Sequence, residues 1–170
     1  TSIAIAWETD DGTLASEVTW GDGPDPSTWP AANHAWGPTW LTPVGLNATG
    51  PARMHEAYVC GLSPEHTYYY RVGGGAAGKA VWSDVHVFKT TTADTSKTVR
   101  LAVTGDSRGE QNDAWRVLQT HLMQANVDAQ LFSGDMINLA PDQGEWDRWL
   151  DSAWKDASGK LSTLGQILIL

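Results

Sequence analysis

The periodicity of the apolar residues changes once along the chain, and this change sets what the chain can fold into. Over residues 1–92, short segments alternate apolar and polar residues, as Ile3, Ile5 and Trp7 do at the start, and Gly- and Pro-rich stretches separate them. Such alternation is typical of half-buried strands in antiparallel sheets. Several strands of this kind with turn residues between them predict a small all-β sandwich for residues 1–92.

A different pattern follows the polar segment 93–98, which is predicted to be a linker. Residues 99–170 begin with the apolar run VRLAVTG, and the runs VDAQLFSGD and LGQILIL come later. Two amphipathic helices are predicted between the runs, with Asn112 or Asp113 as the cap of the first. Their apolar residues are Trp115, Leu118, Leu122 and Met123 in the first helix, and Trp146, Trp149, Leu150, Ala153 and Trp154 in the second. The order β-α-β-α-β predicts a parallel sheet of buried strands with right-handed crossovers.

The two ends of the sequence suggest an internal piece of a longer protein. The chain starts without methionine, inside a strand pattern, and it finishes on an apolar run without a turn or cap. A sheet of three parallel strands is also small for an α/β domain. We therefore expect the chain to continue in both directions.

Charge and cysteine content exclude several classes of protein. The formal net charge of −9 argues against a general nucleic-acid or anionic-membrane surface, which needs a basic patch. No segment is long and apolar enough to span a membrane. Cys60 is the single cysteine, so an internal disulfide is excluded, and we predict that it is a small buried hydrophobe.

Two Gly-Asp pairs carry the strongest chemical signal. Gly105-Asp106 and Gly134-Asp135 each follow an apolar run, and they are separated by about the length of one β-α-β unit. The carboxyl ends of neighbouring parallel strands meet at one edge of a sheet, where α/β folds place their ligands. The two carboxylates could therefore reach one metal ion or bridge two, and hard oxygen ligands suit Mg, Mn, Fe or Zn.

The same stretch also matches G-x-S-x-G, which would make Ser107 the nucleophile of a serine hydrolase. That motif needs a helix directly after the serine, whereas GEQN precedes the helical pattern here. It also leaves Gly134-Asp135 unexplained, and no histidine can be assigned as its base. The serine hydrolase is kept as a secondary alternative.

A glycine-rich segment and a set of tryptophans offer two further interpretations. VGGGAAGKA matches two nucleotide-binding patterns, but Ala80 stands where one of them needs Ser or Thr, and a strand follows instead of a helix. We predict a hairpin loop. Trp29, Trp36 and Trp40 could form a sugar-stacking surface, so a β-sandwich binding module with a degenerate α/β half is the main alternative function.

These segments together resemble a known family. RLAVTGDSRG, DAQLFSGDMIN and LGQILIL resemble the first half of the calcineurin-like metallophosphoesterase domain. GLSPEHTYYYRVG followed by WSDVHVFKT resembles the fibronectin-III-like (Ig-like) sandwich that precedes this domain in purple acid phosphatases, with Tyr68 placed like a tyrosine corner. The resemblance covers nearly the whole chain.

The resemblance implies a metal-dependent phosphatase site. Asp106 matches the first metal-binding aspartate, and Asp135 matches the aspartate that bridges two ions of Fe, Mn, Zn or Mg. The metals would activate a hydroxide that attacks phosphorus. Arg108 stands where many members have a histidine ligand, and it is expected either to contact the substrate phosphate or to pair with a carboxylate. Asn138 replaces the tyrosine of G-D-x-x-Y; it is a candidate ligand, and iron–tyrosinate chemistry is not expected.

The resemblance also sets expectations for the whole protein. The substrate would be a small phosphate ester, and the protein would be exported. The later metal ligands would lie beyond Leu170, in the remainder of the catalytic domain, which would be the partner of this chain. The 170 residues alone are therefore expected to be inactive.

Overall fold

The computed structural model describes residues 1–76, 78–108, 114–154 and 167–169. The chain divides into two units. The first unit comprises Thr1–Val44 and Thr49–Thr90, and the second comprises Gly45–Ala48 and Thr91–Leu170. The exposed segment 93–98, predicted as a linker, lies at the start of the second unit's main part.

Most of the described elements are strands. The strands are β1 (Ile3–Asp10), β2 (Glu17–Gly21), β3 (His34–Trp36), β4 (Thr39–Leu41), β5 (Ala52–Val59), β6 (Thr67–Gly74), β7 (Val81–Trp82), β8 (His86–Lys89), β9 (Leu101–Thr104), β10 (Ala129–Phe132) and β11 (Ile167–Ile169). The helices are a short 3₁₀ helix (Pro26–Thr28), α1 (Ala114–Gln124) and α2 (Gln143–Trp154). No helix in this part of the chain is long and apolar enough to cross a membrane.

The first unit contains two antiparallel sheets. One has the strand order β1-β5-β4, and the other has β3-β2-β6, with β7 and β8 both paired to β6. The turn between β5 and β6 joins the two sheets, since these consecutive strands do not pair with each other. Buried apolar residues come from both sheets, namely Ile5, Ala57 and Val59 from one and Val18, Trp20, Tyr68, Tyr70 and Phe88 from the other. The predicted β-sandwich is confirmed.

Tyr68 forms the predicted tyrosine corner. Its hydroxyl accepts a hydrogen bond of 3.0 Å from the backbone N–H of Ser63, five residues upstream. Its ring lies opposite Phe88 in the β6–β8 pair, with ring centroids 5.6 Å apart. The corner thus joins the turn before β6 to the core.

The glycine-rich segment is a hairpin connection between β6 and β7, as predicted. Gly73 pairs with Trp82, and a Cβ at Gly73 would lie 2.1 Å from the carbonyl oxygen of Val81. Glycine is therefore required there by close packing of two strands. A strand rather than a helix follows the loop, so the geometry of a phosphate-binding helix N-terminus is missing from this segment.

The prediction for Cys60 was wrong, because its side chain is exposed. Cys60 follows β5 directly, and Ala57 and Val59 on that strand are buried. Since side chains alternate between the faces of a strand, the residue after Val59 points away from the core.

The second unit contains three parallel strands in the order β11-β10-β9. α1 connects β9 to β10, and α2 connects β10 to β11. Its aromatic core consists of Trp115, Phe132 and Trp149, with the two indoles stacked at 5.5 Å and Phe132 edge-on to both. The predicted cap, Asn112 or Asp113, lies outside the described residues.

The buried face of α1 differs from the predicted one. Leu118 is 36% exposed, whereas Gln119 is fully buried beside Trp115. Gln119 donates to Oε1 of Gln130 at 3.2 Å, and Gln130 donates to the hydroxyl of Thr104 at 2.8 Å. A buried glutamine on the central strand needs a polar partner, and Gln119 supplies it.

β9 is not buried on both faces as predicted. Ala102 is buried, but Leu101 is 53% exposed and Val103 is 71% exposed. β9 stands at the end of the strand order, and one of its faces is open.

A short segment outside the main part of the second unit pairs with the start of α2. Leu46 forms a parallel bridge with Asp142, and its carbonyl accepts from the N–H of Gln143 at 2.9 Å. The side-chain amide of Asn47 donates to Oδ2 of Asp142 at 2.7 Å, while Oδ1 of Asp142 accepts from the N–H of Glu145 at 3.0 Å. Asp142 therefore both caps α2 and fixes the segment Gly45–Ala48.

Candidate functional site

The two Gly-Asp pairs lie side by side at the carboxyl ends of β9 and β10. Thr104 pairs with Phe132 at the end of the parallel ladder. Backbone hydrogen bonds continue past it from Asp106 N–H to the carbonyl of Gly134 (3.0 Å) and from Arg108 N–H to the carbonyl of Asp135 (3.2 Å). The two turns are therefore fixed to each other by main-chain bonds, independently of their side chains.

Glycine is favoured before each aspartate for a different reason. A Cβ at Gly105 would lie 2.2 Å from the hydroxyl oxygen of Ser133, so a larger residue would displace that hydroxyl from its hydrogen bond to the carbonyl of Thr104. Gly134 has a φ of 109°, a conformation that side chains rarely adopt. The backbone therefore favours glycine at both positions, most strongly at Gly134.

Both aspartates adopt the left-handed backbone conformation, with φ of 52° for Asp106 and 60° for Asp135. Aspartate tolerates this region better than most residues, but it still costs free energy. Strain of this kind persists where the surrounding structure fixes the backbone, and it clusters at functional sites. Here the main-chain bonds between the turns do the fixing.

Arg108 lies between the two carboxylates. Its Nε is 3.0 Å from Oδ1 of Asp106, and its Nη2 is 3.4 Å from Oδ2 of Asp135. The side chains are well exposed, at 70% for Asp106, 58% for Asp135 and 49% for Arg108. Of the two expectations for Arg108, pairing with a carboxylate is the one that the structure shows, and a phosphate contact remains a prediction.

Ser107 faces the interior although its neighbours are exposed. It is 7% exposed, and its hydroxyl donates to the carbonyl of Met136 at 3.2 Å. The same hydroxyl accepts from the indole N–H of Trp149 at 2.8 Å. A hydroxyl buried and bonded in this way is poorly placed for nucleophilic attack, which weakens the serine hydrolase alternative.

Asn138 is held by α2. Its backbone N–H donates to Oε2 of Glu145 at 2.7 Å, and its side-chain amide donates to Oε1 at 3.2 Å. The N–H of Leu139 donates to the same carboxylate, and these bonds, with that of Leu139 the largest, lower the pKa of Glu145. Among the contacts described, the Asn138 side chain meets Glu145 and neither Asp106 nor Asp135.

Glu145 is the site-supporting residue that the sequence reasoning missed. It lies in the first turn of α2, three residues after the capping residue Asp142. An acidic residue at this spacing is the usual partner of an N-cap, and here it binds the loop after β10 instead. The Asp142-x-x-Glu145 spacing was the signal that could have indicated it.

The two carboxylates offer the kind of oxygen donor that a hard divalent cation prefers. Over residues 1–76, 78–108, 114–154 and 167–169, however, no group of three or more His, Cys, Asp or Glu side chains could hold a metal ion. Asp106 and Asp135 are two neighbouring carboxylates, fewer than the three side chains of such a group.

The three tryptophans of the sugar-binding alternative have different environments. Trp29 is partly buried, and its indole N–H donates to the carbonyl of Gly23 at 2.7 Å. Trp36 is 67% exposed, with its ring 4.0 Å from that of His34, and Trp40 on β4 is 46% exposed. Trp29 thus has a structural role in its loop, which leaves two exposed rings for a stacking surface.

Comparison with known proteins identifies a family and a similar solved structure. The model of the purple acid phosphatase N-terminal domain matches residues 1–90. The structure of purple acid phosphatase PPD1 from yellow lupin (Lupinus luteus) seeds is similar with a TM-score of 0.70 at 17% identity, covering 99% of this chain. At this level of identity the similarity shows a shared fold.

A second solved structure is only weakly similar to this chain. The structure of PhoD is similar with a TM-score of 0.36 at 20% identity, covering 76% of this chain and 27% of the PhoD chain, which is too low to bear on the fold. No curated protein matches the sequence. The chain spans 32% of the length of the lupin chain.

Proposed function

Because this chain belongs to the purple acid phosphatase N-terminal domain family, we propose that it forms part of a metal-dependent phosphoric-ester hydrolase. The observation that supports this proposal is the convergence of Asp106 and Asp135 at the carboxyl ends of β9 and β10. Residues 99–170 would be the first part of a calcineurin-like metallophosphoesterase domain. The β-sandwich would precede it.

In this proposal the two aspartates hold the metal. Asp106 would hold one cation, Asp135 would be shared between two, and Asn138 would offer its side-chain oxygen as a weak further ligand. When bound, the metals would supply Lewis acidity and an activated water for attack on phosphorus. The identity of the metals, among Fe, Mn, Zn and Mg, is left open by two carboxylate donors.

The chain's own residues position these donors. The main-chain bonds between the turns hold both carboxylates at one edge of the sheet. The hydrogen bond from Trp149 to Ser107 fixes the turn after β9, and the bond from the Asn138 N–H to Glu145 fixes the loop after the turn that follows β10. Such rigid support keeps ligands in place before the metal arrives.

Two carboxylates bind a divalent cation only loosely, so we expect negligible hydrolysis of an aryl phosphate by these 170 residues alone. Further ligands would come from the remainder of the catalytic domain. The expected substrate is a small phosphate ester, and export from the cell is part of the same proposal.

The proposal is tested by manganese binding to the 170-residue chain, measured from the loss of the free Mn²⁺ signal in electron paramagnetic resonance. We expect weak binding that Asp135→Asn reduces at least about fivefold, since a charged ligand is lost. Asp84→Asn, an exposed position in the first unit, removes the same charge and should leave binding unchanged. Binding that is absent, or that Asp135→Asn leaves intact, would contradict the metal site.

A further inference from the structure

We propose that Arg108 is an internal counter-ion that occupies the cation position between Asp106 and Asp135, and that a metal ion must displace it before phosphate can bind. This inference rests on the proposed function, and it adds an order of binding and a role for Arg108, which stands where many metallophosphoesterases have a histidine ligand. It concerns regulation of the same site.

The geometry supports a position shared by the guanidinium and a cation. One nitrogen of Arg108 contacts Asp106 and another contacts Asp135, on the two separate turns. The backbone N–H of Arg108 is also bonded to the carbonyl of Asp135, so the root of the side chain is fixed beside both carboxylates. A cation that binds between the two carboxylates therefore competes with the guanidinium, which contacts one oxygen of each.

The charges set the order of binding. Two carboxylates and one guanidinium carry one net negative charge, so a phosphate that approaches them in the absence of metal is repelled. Nε and Nη2 of Arg108 meanwhile face the carboxylates. A divalent cation makes the cluster positive and repels the guanidinium from the carboxylates. The released fork of donors is then suited to phosphate oxygens, which arginine binds with two parallel hydrogen bonds.

Because the three side chains are exposed, replacing the guanidinium of Arg108 by a cation costs little free energy. All three are about half exposed or more, and ion pairs in such surroundings are worth little because water screens them. Arg108 should therefore weaken cation binding without preventing it. We expect its removal to tighten the binding of Mn²⁺ about three- to tenfold.

The matched variants are Arg108→Gln and Arg100→Gln. Arg100 is exposed in the same unit and contacts Asp128 through its backbone, so its replacement removes the same charge elsewhere. Arg108→Lys keeps the positive charge but lacks the planar guanidinium, so it should still compete with Mn²⁺ for the two carboxylates to a large extent. Mn²⁺ affinity of each variant is measured on the 170-residue chain by electron paramagnetic resonance.

A second measurement follows the arginine itself. The Nε–Hε signal of Arg108 in ¹H–¹⁵N spectra should move toward the position of a solvent-exposed arginine when Mg²⁺ is added. Inorganic phosphate should then shift this signal only when Mg²⁺ is present. The first effect reports displacement, and the second reports the order of binding.

The possible results separate the two proposals. Tighter Mn²⁺ binding by Arg108→Gln, with Arg100→Gln like the parent chain, supports the counter-ion role. Equal affinity of Arg108→Gln and the parent chain, where Asp135→Asn still weakens binding, overturns the counter-ion role and leaves the metal site standing. A phosphate shift at Arg108 without Mg²⁺ overturns the order of binding. If Asp135→Asn binds Mn²⁺ as tightly as the parent chain does, both the metal site and this inference are overturned.

Discussion

The two units bury their residues in different ways. The first unit spreads a largely apolar core over strands of two antiparallel sheets. The second unit relies on three stacked and edge-on aromatic rings, with buried polar groups such as Gln119, Gln130 and Ser107 around them. The core of the first unit stabilises the sandwich. The core of the second unit also fixes the turns after β9 and β10, since Ser107 accepts from Trp149 and donates to the carbonyl of Met136.

Backbone conformation shows the same contrast. Five non-glycine residues in the described chain have positive φ, and four of them lie in the second unit: Asn47, Asp106, Asn126 and Asp135. Two of these four are the aspartates of the candidate site. Most of the non-glycine residues with positive φ in the described chain therefore lie in the second unit, and Glu65 is the one in the first unit.

The largest effect is expected for Trp149→Ala. Trp149 is 1% exposed, stacks on Trp115 and donates to Ser107. Its truncation should lower the free energy of unfolding of the second unit by about 3–5 kcal/mol. Urea unfolding, followed by the NMR signals of each unit, measures the free energy of unfolding of the two units separately. An equal decrease in both units would show that the aromatic cluster does not stabilise the second unit specifically.

A smaller effect is expected for Asp142→Ala, which removes the cap of α2 and the acceptor of Asn47. We expect a loss of about 1–2 kcal/mol in the second unit. The amides of Leu46 and Asn47 should exchange faster as well, because their segment is fixed by the same residue. Asp147→Asn, an exposed position on α2, serves as the control. Unchanged exchange at residues 45–48 would show that the backbone bonds suffice.

Tyr68→Phe tests the first unit. It leaves the backbone N–H of Ser63 without the hydroxyl acceptor that holds the corner. The free energy of unfolding of the first unit should fall by about 1 kcal/mol, with the second unit unchanged. Tyr69→Phe removes a hydroxyl from the opposite face of the same strand and should have little effect. If the two variants behave alike, the corner does not stabilise the sandwich.

His55 should make the stability of the first unit depend on pH. It is fully buried against Trp7, and burial, with a smaller effect of Arg53, lowers the pKa of His55 from its ordinary value of 6.5. The folded state thus binds fewer protons than the unfolded state as the pH falls below 6.5. The free energy of unfolding should decrease over this range, by at most about 1.4 kcal/mol per pH unit, and level off below the folded pKa.

Urea unfolding of the first unit between pH 7.5 and 5.5 checks this decrease. His55→Gln should flatten the profile, whereas His121→Gln, at an exposed position of the second unit, should leave the profile of the first unit unchanged. The same slope in the parent chain and in His55→Gln would assign the pH dependence to other groups.

Much of the architecture was predictable because it follows from local pattern. Alternation at Ile3, Ile5 and Trp7 indicated strands, and the topology of parallel strands implied that Asp106 and Asp135 would meet. The choice between Leu118 and Gln119 was not local, since both lie at helical spacing from Trp115. Only the buried Gln130 on the neighbouring strand decides between them.

The side-chain partners of the site were harder to predict. The sequence left two partners for Arg108, and the pairing depends on how closely the two turns approach. The contact of Asn47 with Asp142 joins residues far apart in the chain, and no periodicity reports such a contact. Cys60, by contrast, could have been placed correctly, because the period of β5 already assigned it to the outer face.

We propose that the two Gly-Asp turns of the second unit form one cation site. Line broadening by substoichiometric Mn²⁺ in ¹H–¹⁵N spectra of the 170-residue chain locates bound cations directly. We expect the amides of Asp106, Ser107 and Asp135 to broaden first, before those of Glu145 and of the first unit. Broadening centred on another acidic group, or spread evenly over the exposed carboxylates, would contradict it.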